Sequence, residues 1–289
     1  MDGKNTDIIQ KLENNYHFLS KSNKRIADYL LLNYDKAAFM TAQKLGDMAG
    51  VSEATVVRFA YYMGFNGYPR FKKALQEIIK IKLTTIQRID MSQGKFNNQY
   101  TIQDILNSDI ENIKYTLEEF DENSFEKVIQ LINNANNIYI IGFRTAKILT
   151  EYLGYYLNLI LDNVKVIPYS VGDVFEQIVK GKPGDLAIGI SFPRYSSKTY
   201  ETMSYLKAKG LDIIAITDNE RSPMTKISDY CLIAKSNIIS FVDTLVAPLS
   251  LMNVIIVAIG LSNKKRAKEV FNELEQVWAE YEVYAQEEE

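Results

Sequence analysis

The first ninety residues of the chain repeat apolar positions at helical spacing. Apolar residues recur every three or four positions from Ile8 to Leu19, through Ile26 to Leu31, and again from Phe71 to Ile79. This spacing places them on one face of an amphipathic helix. The N-terminal part is therefore predicted to be all-α.

Within this part, the stretch from Thr41 to Phe59 has the pattern of two short helices joined by a glycine turn at Gly50. Gly46 is predicted to be the small residue where the two helices touch. Ser52 is expected to cap the second helix by accepting a hydrogen bond from the N–H of Ala54 or Thr55. The predicted inward residues are Leu45, Ala49, Val51, Val56 and Phe59. The pattern indicates a helix-turn-helix.

The outward face of the second helix carries polar side chains that can reach base edges or phosphates in a major groove. A turn containing Gly64, Gly67 and Pro69 follows, and basic residues come directly after it. Those basic residues either contact the DNA backbone or form a solvated helix start. The predicted DNA-binding residues are Ser52, Glu53, Thr55, Arg58, Tyr61, Arg70, Lys72 and Lys73. Because any amphipathic helical hairpin gives a similar pattern, this hypothesis depends on the rest of the chain.

The pattern changes after residue 90. Residues 91–100, MSQGKFNNQY, are polar and lack apolar periodicity, which predicts a linker. The predicted organisation is a helical helix-turn-helix domain over 1–90, a linker over 91–101 and a second domain over 102–289.

In the second domain, helices are predicted over 102–119 and 124–133, and short apolar runs then alternate with helical periodicity. Such alternation indicates βαβ units and a parallel sheet covered on both faces. The predicted strands are Asn137 to Ile141, Val164 to Pro168, Leu186 to Ile190, Ile213 to Thr217 and Tyr230 to Ile233. We predict a doubly wound α/β domain with a five-stranded parallel sheet.

The run from Leu245 to Leu261 is almost long and apolar enough for a membrane span. It falls short of about 20 residues and contains Pro248, Ser250 and Asn253, so a buried helix is predicted instead. A long helix from Lys264 to Tyr284 is predicted to follow it. We expect no membrane association.

Hydroxyl-bearing loops follow the first and third predicted strands. GFRTAK at 142–147 and SFPRYSSKT at 191–199 each open a helix. Free N–H groups and the helix dipole favour an anion there, and ligands of such folds bind at the carboxyl ends of the strands. The predicted ligand-binding residues are Gly142, Arg144, Thr145, Ser191, Arg194, Ser196, Ser197 and Thr199. Serine and threonine are also ordinary helix caps, which is the alternative reading of each loop.

The composition limits the disulfide and metal-binding chemistry that is open to this chain. With one cysteine, Cys231, and one histidine, His17, the chain can form neither an internal disulfide framework nor a Cys/His metal cluster. The sequence indicates no metal and no cofactor, and Cys231 is predicted to be a buried structural thiol. The start MDGKNTDIIQ is not a signal peptide, so we expect a cytoplasmic protein.

Charge is divided unevenly along the chain. Residues 1–90 carry 14 Lys and Arg against 9 Asp and Glu, whereas the remainder carries 19 against 27. A basic N-terminal part on an acidic body is typical of a DNA-binding domain attached to an effector domain, since phosphate contacts supply much of the affinity for DNA.

Three runs together resemble the RpiR-type transcriptional regulators, which carry an N-terminal helix-turn-helix domain and a sugar isomerase (SIS) domain. They are VSEATVVRFAYYMGFNGYPRFK at 51–72, GFRTA at 142–146 and ISFPRYSSKT at 190–199. The resemblance implies a regulator of carbohydrate genes that binds double-stranded operator DNA and a phosphorylated sugar effector. It also implies a homodimer or a higher even oligomer. The chain departs from the usual Gly-x-Gly-x-Ser turn, because Arg144 and Ala146 replace the second glycine and the serine.

Arg144 is expected in the first turn of a helix, where the dipole opposes a cation by roughly 0.3–1 kcal/mol. A phosphate held by Arg144 and Arg194 would offset this cost, as would a salt bridge to an acid.

The alternative function is an SIS-type phosphosugar isomerase or deaminase carrying a DNA-binding extension. Isomerisation needs a glutamate or histidine as proton shuttle. The second domain has no histidine, and its candidate acids, Glu151 and Glu176, follow the first two strands without a clear role. We therefore expect a regulator that is not an enzyme.

Overall fold

A computed structural model describes residues 8–82, 84–89, 102–168, 173–237 and 242–284. The chain divides into two compact units, Met1–Gln99 and Tyr100–Glu289. The predicted linker at 91–101 lies outside the described residues, so its bounds stay a prediction.

The first unit is helical in all its described elements. Short N-caps define the helix starts: the hydroxyls of Ser20 and Thr41 accept hydrogen bonds from the N–H groups of Asn23 and Lys44. A 3₁₀ turn, Tyr16–Phe18, lies between the first two helices. The helices are α1 (Ile8–Asn15), α2 (Lys21–Ala37), α3 (Ala42–Ala49), α4 (Glu53–Tyr62) and α5 (Tyr68–Lys82).

The second unit alternates helices and strands after two leading helices. The helices are α6 (Ile102–Glu118), α7 (Glu122–Asn134), α8 (Ala146–Ile160), α9 (Val174–Ile178), α10 (Ser197–Ala208), α11 (Val246–Ser262) and α12 (Lys264–Glu280). The strands are β1 (Ile138–Ile141), β2 (Val164–Val166), β3 (Leu186–Ile190), β4 (Asp212–Thr217) and β5 (Tyr230–Ile233).

All five strands are parallel and lie in the order β2-β1-β3-β4-β5. Alternate strand residues enter two different cores, with Ile138 and Ile140 on one face and Tyr139 and Ile141 on the other. Both faces are therefore covered, which confirms the predicted doubly wound α/β fold. The chain leaves β1 for β2 on one side and later adds β3 on the other, so the switch point of the topology lies between β1 and β3.

The burial of helix α11 differs in part from the prediction. It was predicted to be buried, and residues such as Leu251, Met252 and Ile255 are buried. On its other face, however, Val257 and Leu261 are exposed. A run with only two polar residues, Ser250 and Asn253, gives little indication of how much of the helix is covered. Among the described residues no single helix is long and apolar enough to cross a membrane, although the sharply bent pair α11 and α12 passes that test together.

Helix α6 turns polar residues toward the body of its unit. The side-chain oxygen of the fully buried Asn112 accepts from the N–H of Asn237 at 3.1 Å. The hydroxyl of Thr116 accepts from the N–H of Lys235 at 2.9 Å, and the hydroxyl of Thr244 donates to the carboxylate of Asp109 at 2.5 Å. Its apolar residues are exposed instead, among them Ile102, Leu106, Ile110 and Leu117.

Candidate functional site

The contact between α3 and α4 depends on two glycines. Gly50 ends α3 with a φ of 66°, a left-handed conformation that glycine adopts without steric cost. A Cβ on Gly46 would lie 2.8 Å from the carbonyl oxygen of Val51 and 3.3 Å from the amide nitrogen of Glu53. Only glycine allows the helices this approach, and Val56 and Phe59 are fully buried behind it. The predicted helix-turn-helix packing is confirmed.

The start of α4 is held by its own side chains. The hydroxyl of Ser52 accepts from the N–H of Thr55 at 3.3 Å, one of the two partners expected. The hydroxyls of Ser52 and Thr55 lie 2.9 Å apart, and a guanidinium N–H of Arg58 donates to Thr55 at 3.4 Å. Glu53 and Tyr61 are exposed on the same helix. The structure thus collects the five predicted contact residues of α4 and its cap on one short segment.

The basic residues after the turn behave differently from one another. Arg70 and Lys73 are exposed near the start of α5. The ammonium group of Lys72 instead donates to the carbonyl of Phe39 at 3.2 Å, beyond the end of α2. Lys72 therefore has a hydrogen bond within its own unit, whereas Arg70 and Lys73 are exposed.

Two basic residues outside the helix-turn-helix, which sequence reasoning missed, donate hydrogen bonds to its backbone. Arg25 donates to the carbonyl of Gly50 at 3.2 Å, and Lys11 donates to the carbonyl of Met63 at 2.7 Å. Both cations satisfy carbonyls at helix ends. Their long sequence separation from these carbonyls leaves no local signal.

The loops after β1 and β3 adjoin each other in the second unit. β1 and β3 are neighbours, with Ile141 paired to Gly189. A Cβ on Gly142 would lie 2.9 Å from the carbonyl oxygen of Ile190 and 2.7 Å from Cγ2 of Thr150. Gly142 is thus a packing glycine that lets the two loops open side by side at the switch point, where doubly wound folds bind ligands.

Each of these loops holds an arginine in a left-handed backbone conformation. The φ of Arg144 is 60° and that of Arg194 is 65°. For a residue with a Cβ this conformation costs roughly 1–2 kcal/mol, so the surrounding structure imposes it.

The position of Arg144 also corrects an expectation. α8 begins at Ala146 with Thr145 as its N-cap, so Arg144 precedes the helix rather than lying in its first turn. The unfavourable energy at Arg144 thus comes from its left-handed backbone conformation. The cost expected for a cation in the first turn of a helix does not apply, because Arg144 lies before the helix.

The hydroxyl groups of the two loops differ in their hydrogen bonds and in their burial. The hydroxyl of Ser196 caps α10 by accepting from the N–H of Thr199 at 3.3 Å, whereas Thr145 caps α8 without a side-chain hydrogen bond. Thr199 is fully buried, and its Oγ1 has no hydrogen-bond partner within the described parts of the chain. Ser191 is also buried, and Ser197 is exposed. A buried hydroxyl without a partner costs about 1–3 kcal/mol, which a bound polar group can recover.

Sequence reasoning missed a polar pair beside these loops, formed by the half-buried Tyr195 and the buried Asp218. The hydroxyl of Tyr195 donates to the carboxylate of Asp218 at 2.7 Å, and the Asn219 amide donates to the other Asp218 oxygen at 2.6 Å. Burial and, next, the charge of Asp218 raise the pKa of Tyr195 far above its ordinary value. The pair ties the β3 loop to the end of β4. It could not be found without the sheet, because its members are 23 residues apart.

The two acids considered for catalysis have structural contacts. Glu151 lies 3.3 Å from the ammonium group of Lys147, four residues earlier on α8. Glu176 accepts from the N–H of Asp173 at 3.3 Å in the capping box of α9. Both contacts are typical of helix surfaces and helix starts.

Cys231 lies half-buried on β5. Burial, followed by the negative charges of Glu220 and Asp218, raises the pKa of its thiol to about 12. The thiol is therefore protonated at neutral pH, and it is half-buried rather than buried as predicted.

The fold and the site define a class: a helix-turn-helix unit followed by a doubly wound domain whose loops after β1 and β3 adjoin at the topological switch point. Residues 6–81 match the helix-turn-helix domain of the rpiR family, and residues 131–258 match the SIS domain. This protein is an RpiR-type protein with both domains of that family.

Relatives share this organisation. An uncharacterized HTH-type transcriptional regulator of Clostridium perfringens is 27% identical over 225 residues, covering 77% of this chain and 80% of the relative. A second, from Haemophilus influenzae, is 28% identical over 236 residues, covering 80% of each.

Solved structures share the fold. The sugar isomerase domain of an RpiR transcription factor from Sphaerobacter thermophilus covers 62% of this chain and 99% of its own, with a TM-score of 0.59 and 24% identity. The Vibrio vulnificus NanR protein complexed with ManNAc-6P covers 96% and 100%, with a TM-score of 0.58 and 21% identity.

Proposed function

We propose that this protein is a DNA-binding transcriptional regulator of carbohydrate-metabolism genes whose SIS domain senses a phosphorylated sugar. One observation carries the proposal. A single chain joins the capped helix α4 of a helix-turn-helix to a doubly wound domain in which two hydroxyl-bearing loops at the switch point each hold an arginine in a left-handed backbone conformation.

For DNA, the proposal assigns base contacts to α4 and phosphate contacts to the start of α5. Arg58 and Tyr61 extend from the exposed face of α4, and Arg70 and Lys73 are exposed on α5. The excess of basic residues in the first ninety positions favours association with a polyanion. Lys72 enters this proposal only as a residue that supports the fold near these contacts.

For the effector, the proposal places an anionic group at the starts of α8 and α10. Both helices begin at the same sheet edge, so the N–H groups of their first turns and their dipoles favour a phosphate there. The arginines at 144 and 194 supply positive charge, and the unpaired hydroxyl of Thr199 supplies a hydrogen-bonding group. The Vibrio NanR structure was obtained with ManNAc-6P, which supports a phosphorylated sugar as the ligand class.

We further infer that the bound sugar is sensed and not converted. Glu151 and Glu176 are engaged in a salt bridge and a helix cap, which makes both poor proton shuttles. A turnover assay with aldose and ketose phosphates is expected to show no conversion above background, and measurable turnover would replace this part of the proposal.

The proposed mechanism is a population shift. Two copies of the chain form a dimer, the effector favours one arrangement of its two DNA-binding units, and operator affinity changes accordingly. Two-fold symmetry in the protein predicts a palindromic or repeated operator. A protein acting on the genome in this way works in the cytoplasm.

A gel-shift titration tests the proposal. The DNA is the region upstream of the carbohydrate genes nearest to this gene, with and without a panel of phosphorylated sugars. We expect specific binding whose affinity changes with one class of sugar. Arg144→Ala is expected to bind the same DNA but to lose the sugar response. Failure to bind any such region contradicts the regulator, whereas binding that no sugar alters contradicts the sensor.

A further inference from the structure

The C-terminal helix α12 carries an apolar stripe that the chain itself covers only in part. The stripe repeats with spacings of four and three residues, the repeat of a helix that pairs lengthwise with another helix. Within α12 the members of the stripe are half-buried, because this helix contacts α8 and α11, and Tyr281 just beyond its end is 70% exposed. The stripe consists of Ala267, Phe271, Leu274, Trp278 and Tyr281.

Charges along α12 are strongly segregated. The first turns carry only basic residues, Lys264, Lys265, Arg266 and Lys268, and the later turns carry only acidic ones, Glu269, Glu273, Glu275 and Glu280. On the edges of the stripe, Lys268 and Glu275 are seven residues apart on one side, and Arg266 and Glu273 are seven apart on the other. Each edge therefore begins basic and ends acidic.

This order is unfavourable for a helix on its own. Basic groups lie at the positive end of the helix dipole, and acidic groups lie toward the negative end. Only Arg266 has an intramolecular partner among the ion pairs described for this helix, namely Asp162, which follows α8. A partner helix that runs in the opposite direction would make these charges favourable, because its acidic turns and the negative end of its dipole would face the basic turns of α12.

We propose that α12 pairs antiparallel with α12 of a second copy of this chain, with the two helices crossing near Phe271 and Asn272. In this arrangement the apolar stripes face each other, and Lys268 of each copy lies opposite Glu275 of the other. A parallel pair would instead place basic turns beside basic turns and acidic turns beside acidic turns. The proposal rests on the dimer assumed in the proposed function and names the surface that forms it.

Charge reversal in the full-length chain tests this pairing by sedimentation equilibrium. Lys268→Glu alone and Glu275→Lys alone each place like charges at both copies of the contact, so each is expected to raise the dimer dissociation constant roughly tenfold or more. The double variant Lys268→Glu/Glu275→Lys restores opposite charges and is expected to return the constant to near the wild-type value. The control Lys265→Glu makes the same charge change on the opposite face of α12 and is expected to change nothing.

Cross-linking provides a second measurement that holds even where other surfaces also contribute to the dimer. In a Cys231→Ser chain, a Lys268→Cys protein is mixed with a Glu275→Cys protein and treated with a short bismaleimide. We expect covalent dimers from the mixture and few from either protein alone, because in an antiparallel pair each residue faces the other and not itself.

The results separate this proposal from the proposed function. Failure of the double variant to recover, or equal cross-linking by Lys268→Cys alone, overturns the antiparallel pairing while leaving dimeric regulation intact. A wild-type chain that stays monomeric at all concentrations overturns both the pairing and the dimer, while the gel-shift test of DNA and sugar binding still stands on its own.

Discussion

At the scale of single residues, the loops after β1 and β3 contain backbone conformations that their arginine side chains do not favour. Arg144 and Arg194 both have positive φ, and the Tyr195–Asp218 pair holds the loop next to Arg194. Such strain persists only where the surrounding contacts determine it, and it commonly marks sites that bind a ligand. The sequence predicted that both arginines follow strands at one sheet edge, but an arginine gives no signal for a left-handed backbone, which is normally adopted by glycine.

Substitutions at Arg144 separate strain from binding. Arg144→Gly is expected to be more stable than Arg144→Ala by about 1 kcal/mol, because glycine adopts the positive φ without steric cost. Both variants are expected to lose affinity for phosphorylated sugars, since both lack the guanidinium group. Denaturant unfolding measures the first effect and calorimetry the second. Unchanged sugar affinity in both variants would show that Arg144 does not contact the ligand.

Substitutions at Arg58 test how α4 reads DNA. Arg58→Ala is expected to weaken operator binding by about 1–3 kcal/mol if the guanidinium group contacts a base. Arg58→Lys keeps the charge but loses the bidentate geometry, so it should recover nonspecific binding better than specific binding. Fluorescence anisotropy with operator and scrambled DNA measures both. An equal loss on the two DNAs would instead indicate a phosphate contact.

At the scale of helices and strands, most elements follow from local pattern, whereas their ends and faces depend on neighbours. Leu186–Ile190 and Tyr230–Ile233 have the predicted bounds, because apolar runs there end at polar or turn residues. The second strand stops at Val166, before Pro168, which has no N–H for the sheet. Helix α12 ends at Glu280 rather than Tyr284.

The faces of helices were harder to predict. Periodicity indicates which residues share a face but not whether another part of the chain covers it. α6 shows this most clearly, because its polar face is the one that meets the body. The eight predicted ligand residues do reach one sheet edge, since the carboxyl ends of adjacent parallel strands must lie together.

The α3–α4 contact provides a prediction at this scale. Gly46→Ala is expected to destabilise the protein by about 1–3 kcal/mol and to weaken DNA binding, because the added methyl group would overlap the backbone of Val51. A matched control is Gly260→Ala on α11, where the nearest atom to a Cβ is Cδ1 of Ile160 at 3.7 Å. The control should be neutral or stabilising by up to about 1 kcal/mol, owing to the higher helix propensity of alanine. Thermal unfolding and gel shifts compare the two, and equal behaviour would contradict the close-contact role of Gly46.

At the scale of the whole molecule, the chain consists of two units whose hydrophobic clusters do not share residues. One cluster contains residues of the helical unit only, and the other two contain residues of the sheet unit only. Such units can unfold as separate cooperative transitions. The division also explains how a basic DNA-binding part and an acidic body coexist in a chain with a net charge of only −3.

The single tryptophan, Trp278, lies in the second unit and allows that transition to be observed alone. A phosphorylated sugar at about 100 times its Kd is expected to stabilise this unit by about 2.7 kcal/mol. For a unit of this size that raises the tryptophan-detected transition by roughly 5–10 °C. Circular dichroism follows both units, and an unphosphorylated sugar serves as the control. A shift of equal size with that control would contradict recognition of the phosphate.

The polar face of α6 restricts how this helix can move against the rest of its unit. The hydrogen bonds that Asp109, Asn112 and Thr116 make with Lys235, Asn237 and Thr244 are directional, so they fix the rotation of the helix and its position along its axis. Helix α6, the first described helix of the second unit, is thus held in one orientation against the rest of that unit. A displacement of Lys235, Asn237 and Thr244 is therefore expected to move α6 with them, because the helix cannot shift without breaking these hydrogen bonds.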